Sequence, residues 1–367
     1  MSTVRTMTRL IASVAFASAP MAQAQGPFVQ TDNPAATQAE AVFANYRFRD
    51  GQTLPEVRIH YATLGSAHRN AAGQVDNAVL VLHWTGSDSR VLLTPGYMKA
   101  LFDPGRPLDA RHYFLIFADS IGCGRSSKPS DGLRMKFPRY TYGDMVDLQH
   151  KLVAETLRIP RLHAILGMSM GGMNAWQWAE DYPDAIDGVM PVVSLPIKVS
   201  GRNLIWRRLA ISYITDDPDW KDGDYDKPFR GWTQSYQLLR MMIDGVPHMQ
   251  AIAPDGASAD KFLADAAAQA AAADPNDVLY SLRSSSDYDP QARLGDIRAK
   301  VFALNFGDDE FNPDVLQALE SGIRQVPRGR AVVQPGTSSS FGHLTMAHPE
   351  LWADHVGEFM QWLGDAR

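Results

Sequence analysis

The chain has 367 residues, of which 45% are hydrophobic and 21% charged, and its formal net charge is −6. That length holds one large α/β domain with an insertion, or two domains, around a sizeable core. The acidic balance, and the lack of a basic stripe with interleaved aromatics, exclude nucleic acid as an expected partner.

At the start, Arg5 and Arg9 precede a short apolar stretch, residues 10–19, and Ala22-Gln23-Ala24 supplies a small-x-small cleavage pattern. The expectation is a secretory signal peptide over residues 1–24, cut after Ala24, which makes the protein periplasmic or secreted. The alternative is an amphipathic or disordered tail. Cleavage would remove two positive charges and no acids, leaving −8. The stretch is too short to cross a bilayer, and no later segment offers the ~18 uninterrupted apolar residues of a span. Cys123 is the single cysteine, so an intramolecular disulfide and a cysteine-based metal site are both excluded.

Residues 25–40 are polar and alanine-rich and read as a leader. From Phe43 the chain alternates apolar and polar in Tyr46-Arg47-Phe48 and Val57-Arg58-Ile59-His60-Tyr61, with a hairpin turn at Asp50-Gly51. Six apolar runs then read as buried parallel strands, at 79–82, 114–117, 164–166, 189–193, 301–304 and 331–333. Helical patterns separate them. The clearest opens on a capping-box-like Thr141-Tyr142-Gly143-Asp144 and repeats apolar residues at 145, 148, 152 and 157 before Pro160. Such alternation predicts a mostly parallel sheet with helices on both faces. Residues 195–289 break the rhythm. They carry Trp206, Trp220, Trp232, Met241, Met242 and an alanine-rich stretch, and read as a helical lid after the sixth core strand. The expected division is a core at 25–194 and 290–367 with the lid between, and the lid tryptophans and methionines suggest a partly apolar pocket.

The chemistry is carried by Gly167-Met168-Ser169-Met170-Gly171, placed after an apolar run and before a helical stretch. This is the G-x-S-x-G nucleophile elbow, which exposes a serine hydroxyl on a sharp strand-to-helix turn. Serine needs a base, and the base needs an acid to hold its tautomer, in the chain order Ser, acid, His. The strand at 301–306 ends in Gly307-Asp308-Asp309-Glu310-Phe311-Asn312-Pro313. Asp308 and Asp309 compete. An acid four residues before a proline is the common arrangement and selects Asp309, leaving Asp308 to cap the next helix or face water. His343, in Ser340-Phe341-Gly342-His343 before the last helix, is the base; His348 is the runner-up. The oxyanion donors are the backbone N–H of Met170 and that of Trp84 or Thr85, in the loop after residues 79–82. His83 in that loop reads as a satisfied structural histidine, and Cys123 as structural.

These residues resemble the homoserine O-acetyltransferase-like branch of the α/β-hydrolase superfamily, over most of the chain from Phe43 and most weakly in the lid. The resemblance rests on His83-Trp84-Thr85-Gly86, on the Gly-rich segment 119–127 continuing to Phe137-Pro138, and on Gly167–Met173 with Tyr182-Pro183-Asp184. It implies an α/β-hydrolase fold and a Ser-His-Asp enzyme that forms an acyl-enzyme. The family's Asp after the catalytic His, which binds the substrate amine, is Leu344 here. Its lid arginine, which grips the substrate carboxylate, has five candidates: Arg202, Arg207, Arg208, Arg230 and Arg240. The expectation is therefore a secreted serine hydrolase of a small-molecule ester or related acyl bond, with an O-acyltransferase as the alternative. No cofactor or metal is implied, and the sequence leaves a homodimer open.

Overall fold

The computed structural model describes residues 32–364; the expected signal peptide lies outside the described residues. The hairpin joins β1 (Thr37–Arg47) to β2 (Thr53–Leu64) in antiparallel register. Residues 37–40, read from composition as leader, belong to β1 and pair with Thr63 to His60. The twelve residues of β2 offer backbone groups that a shorter partner would leave open, and an edge strand is recruited by those groups as much as by apolar side chains.

β2 also runs antiparallel to β4 (Phe114–Ala118), and the remaining pairings are parallel, among β3 (Ala78–Leu82), β4, β5 (Leu162–Met168), β6 (Ile186–Val192), β7 (Lys300–Phe306) and β8 (Gly329–Gln334). The eight strands lie in the order β1-β2-β4-β3-β5-β6-β7-β8. Each of the six apolar runs falls on one of these parallel strands, the fourth overrunning β6 by one residue, Val193. β3, β5 and β7 are buried at every position because both faces are covered. The two-residue period of a strand then splits the core. Leu80, Leu82 and Ile165 join Trp176, Trp178 and Met145 on one face, while Val79, Val81 and Leu166 join Phe302, Trp352 and Phe359 on the other. Burying a large apolar side chain contributes about 1.5–3 kcal/mol.

The helices follow their sequence signals. α1 (Tyr142–Lys151) starts at a formed capping box, in which Asp144 accepts from Thr141 N at 2.9 Å, and runs on into a wider helical turn at Leu152–Thr156. α2 (Met170–Asp181) follows β5 without a linker beyond Ser169. Between β6 and β7 the chain leaves the sheet for α3 (Gly201–Thr215), α4 (Arg230–Ile243), α5 (Val246–Ile252), α6 (Gly256–Ala270) and α7 (Pro275–Arg283). These helices have their own cluster, with Ile211, Ile214, Trp220, Trp232 and Leu279. The chain then returns for β7, β8 and α8 (Ala353–Gly364). No helix among the described residues is long and apolar enough to cross a membrane.

Candidate active site

Ser169 stands at the end of β5 with φ 53° and ψ −111°. L-residues avoid this region, so the turn is strained. Its N–H donates to Val192 O on β6 at 2.9 Å, which holds the turn in place. The neighbouring glycines are required by contact. A Cβ on Gly167 would lie 2.1 Å from Gly171 O, one on Gly171 2.5 Å from Leu82 O, and one on Gly172 2.5 Å from Ser194 Oγ. Strand, turn and α2 are thus closer than any side chain permits. The first amides of α2, that of Met170 included, have no partner within the helix and carry its partial positive charge.

The loops after β7 and β8 bring their side chains to the same place. His343 Nε2 lies 2.8 Å from Ser169 Oγ, and His343 Nδ1 lies 2.8 Å from Asp309 Oδ2. His343 and Asp309 are buried, at 5% and 2% exposure. Asp309 is well satisfied: its Oδ1 accepts from Phe311 N and Asn312 N at 2.8 and 3.1 Å, and Oδ2 also accepts from Asn312 Nδ2 at 2.9 Å. Asp308 takes a different task from either one the sequence offered. Its Oδ2 accepts from Ser340 Oγ at 2.7 Å and from Gly342 N at 3.0 Å, on the loop that carries His343. His348 is remote from this relay; it lies 3.3 Å from Glu350 and stacks on Phe341 with centroids 4.0 Å apart.

Two residues at this site escaped the sequence reading. Val193 follows β6 with φ 47°, an outlier for a β-branched residue. Its carbonyl accepts from Asn312 Nδ2 at 2.8 Å, so Asn312 holds both the strained residue and the Asp309 carboxylate. The signal was present in part: an Asn three residues after an Asp, before a proline, is the composition of a side-chain-closed turn.

Trp84 and Thr85 both line the cavity that contains Ser169 and His343. The Trp84 carbonyl is engaged within its own loop, by Ser87 Oγ at 2.8 Å and His83 Nδ1 at 2.9 Å. His83 Nε2 accepts from Ser120 N at 3.0 Å, so both of its ring nitrogens are used structurally. Burial pushes the Cys123 thiol well above its ordinary range, which keeps it protonated and unreactive.

The cavity has a volume of about 320 Å³ and runs from the relay to the helices between β6 and β7. Its apolar wall is built by Met173, Leu239, Ile243, Val278, Phe311 and Leu344. The residues from which an apolar pocket was inferred do not line it: Trp220 and Trp232 pack inside the helical cluster, Met242 is buried and Met241 exposed, and Trp206 sits edge-on to the wall residue Phe311. The segment is large enough to need a core of its own, and its aromatic side chains fill it. Of the five arginines, only Arg207 and Arg240 line the cavity. Both are buried, and Arg207 Nη1 and Arg240 Nε and Nη1 have no hydrogen-bond partner among the described residues. Arg202 pairs with Glu310 at the surface.

Comparison with known proteins agrees with this architecture. A family model described as the alpha/beta hydrolase fold matches residues 90–236. A probable acyltransferase of Methanothermobacter thermautotrophicus is 29% identical over 301 residues, covering 82% of this chain and 90% of that protein. A homoserine O-acetyltransferase of Thermobifida fusca is 36% identical over 196 residues, and there the match spans 49% of this chain and 50% of the relative's length. The solved structure of a homoserine O-acetyltransferase from Bacillus anthracis superposes with a TM-score of 0.78 at 22% identity, covering 89% of this chain and 97% of that one. An acetylester hydrolase from Corynebacterium glutamicum does so with a TM-score of 0.76 at 21% identity, covering 89% and 95%. The chain has the alpha/beta hydrolase fold, is an enzyme of that kind, and is similar to the homoserine O-acetyltransferase-like branch of the α/β-hydrolase superfamily.

Proposed function

We propose that the protein is an exported serine hydrolase that cleaves a carboxylic ester, or a related acyl bond, through an acyl-enzyme on Ser169. The observation that carries this reading is the relay itself, with two contacts of 2.8 Å linking Ser169, His343 and Asp309. With His343 protonated on Nδ1, its Nε2 accepts the Ser169 proton as Oγ attacks the ester carbonyl. Asp309 stabilises the imidazolium that forms. The tetrahedral oxyanion is held by the N–H of Met170 and that of Trp84 or Thr85; each such donor is worth about 2.7–4 kcal/mol to the transition state. His343 then gives its proton to the departing alkoxide. A water, deprotonated by the same imidazole, attacks the acyl-enzyme and releases the acid.

Leu344 supports water as the acyl acceptor. It is buried at 7% exposure and lines the cavity where the resembling family has a carboxylate for an amine. Export agrees with this choice, since an acyl-CoA donor is confined to the cytosol. The second reading, transfer to an alcohol, is favoured by Arg207 and Arg240, whose open N–H groups suit an acceptor carboxylate.

The test is a panel of short-chain esters and acetyl-CoA, turned over with and without homoserine. Free acid formed at the same rate in both arms supports hydrolysis; turnover that requires the added alcohol establishes the transferase. Expression of the whole chain with N-terminal sequencing of the secreted product, expected to begin at Gln25, tests export.

A further inference from the structure

We propose that Asp308 is a positioning residue for the general base: it fixes the backbone of the His343 loop while its neighbour Asp309 fixes the imidazole. The inference rests on the reading of His343 as the base. Four observations carry it. First, among the described residues the hydrogen bonds to the Asp308 side chain come from that loop alone, from Ser340 Oγ at 2.7 Å and Gly342 N at 3.0 Å, and Gly342 immediately precedes His343. Second, Ser340 Oγ also accepts from Thr337 N at 2.9 Å, so the acid closes the whole turn from 337 to 342. Third, the junction between α4 and α5 presses on the loop at the same point, beside the carboxylate itself: a Cβ on Gly245 would lie 3.0 Å from Asp308 Oδ2. A Cβ on Gly245 would lie 2.5 Å from Gly342 N, and a Cβ on Gly342 would lie 2.8 Å from Gly245 Cα. Gly342 is left-handed at φ 59°, so the loop turns there only because no side chain is present. Fourth, Asp308 Oδ1 is buried without a hydrogen-bond partner among the described residues, so the carboxylate gives up solvent on one oxygen while the other holds the loop.

The loop is therefore held at one point, Gly342, both by the strand end, through Asp308, and by the helical insertion, through Gly245. Adjacent acids on one strand end set the two coordinates a base needs, the place of its backbone and the direction of its ring. A displacement near 1 Å at a reacting group costs on the order of 10²-fold in rate. Loosening this grip is thus expected to lower kcat while leaving the substrate's binding walls intact.

Three variants test it, each read by kcat, KM, thermal midpoint and rate of inactivation by a fluorophosphonate. Asp308→Ala is expected to lower kcat by about 10- to 100-fold with KM within about twofold. Inactivation should slow in proportion, because it too needs His343 to activate Ser169. Asp308→Asn keeps an oxygen that accepts both bonds and is expected to recover most of the rate. Ser340→Ala removes one of the two donors and should fall between them. A folded Asp308→Ala enzyme with unchanged kcat would overturn the proposal. So would equal losses in Asp308→Ala and Asp308→Asn at unchanged midpoint, which would mean that charge matters and loop anchoring does not. If Asp308→Ala does not fold, Ser340→Ala decides alone: a kcat loss at constant KM supports the grip, and an unchanged kcat refutes it. Ser169→Ala separates the premises. An inactive Ser169→Ala beside a fully active Asp308→Ala sinks only this inference, whereas an active Ser169→Ala removes the catalytic reading beneath it.

Discussion

Asn312 makes the residue scale concrete. One amide nitrogen serves two acceptors, the Val193 carbonyl at 2.8 Å and Asp309 Oδ2 at 2.9 Å. Replacing Asn312 with Ala leaves a buried carboxylate short of a donor and the carbonyl of a strained valine without its partner, at a cost of about 1–3 kcal/mol for the unsatisfied group. The expected result is a kcat lowered about tenfold and a reduced thermal midpoint, measured on a p-nitrophenyl ester and by calorimetry. Leu344 is the second lever. Leu344→Asp restores an acid beside the base, where the resembling family holds a substrate amine. The fraction of acyl groups passed to homoserine instead of water is expected to rise; an unchanged partition at equal turnover would show that this position does not choose the acceptor. Ser169, Asp309 and His343 were nameable from sequence because motif, spacing and chain order constrain them together. Asn312, Val193 and the grip of Asp308 were not. Their roles exist only once loops far apart in the chain lie side by side.

At the scale of elements, the nucleophile turn is the part most tightly specified. Three glycines stand where backbone from β3, β6 and α2 comes within 3 Å of a would-be Cβ. Gly171→Ala cannot be absorbed by a flexible side chain, because the nearest atoms include Leu82 O and His83 O. It is expected to cost several kcal/mol, of the order seen for overpacking, and to yield little soluble enzyme; a normal yield with a native thermal midpoint would contradict that. The apolar runs located the parallel strands because a strand buried on both faces has nowhere to place polar residues. The start of β1 was hidden for the opposite reason. Residues 37–40 lie on an edge strand and are held by backbone pairing, which composition does not report. The insertion's helices were equally hard to orient. α3 exposes Leu204, Ile205 and Leu209 while burying Ile211 and Ile214, so its apolar residues mark no single face. That is why Arg207, which lines the cavity, could not be told from Arg202 and Arg208 on the same helix.

For the whole molecule, two acids raised by burial make stability respond to pH. Glu180, in α2, is 6% exposed, with Oε1 unpartnered, and burial raises its carboxyl from 4.5 to about 8. Asp277, at the start of α7, is likewise raised by burial, to about 7. A carboxyl whose folded pKa lies above its unfolded value keeps its proton in the native state while the unfolded chain loses it. Stability is therefore greatest below pH 4 to 5 as far as these two groups are concerned, and it falls as pH rises through 5 to 8. Glu180→Gln is expected to flatten this slope and raise the thermal midpoint at pH 9 by roughly 2–5 °C, with little change at pH 5. A midpoint equally altered at both pH values would show that the effect is packing and not ionisation.

The most direct measurement is made on Ser169. The enzyme is mixed with p-nitrophenyl acetate, quenched in acid within the first turnover, digested, and its peptides are weighed. The account expects one acetyl group per chain on the peptide that contains Ser169, a burst of p-nitrophenol of matching size, and neither in Ser169→Ala. An acetyl group on another residue, or continued turnover by Ser169→Ala, would contradict it.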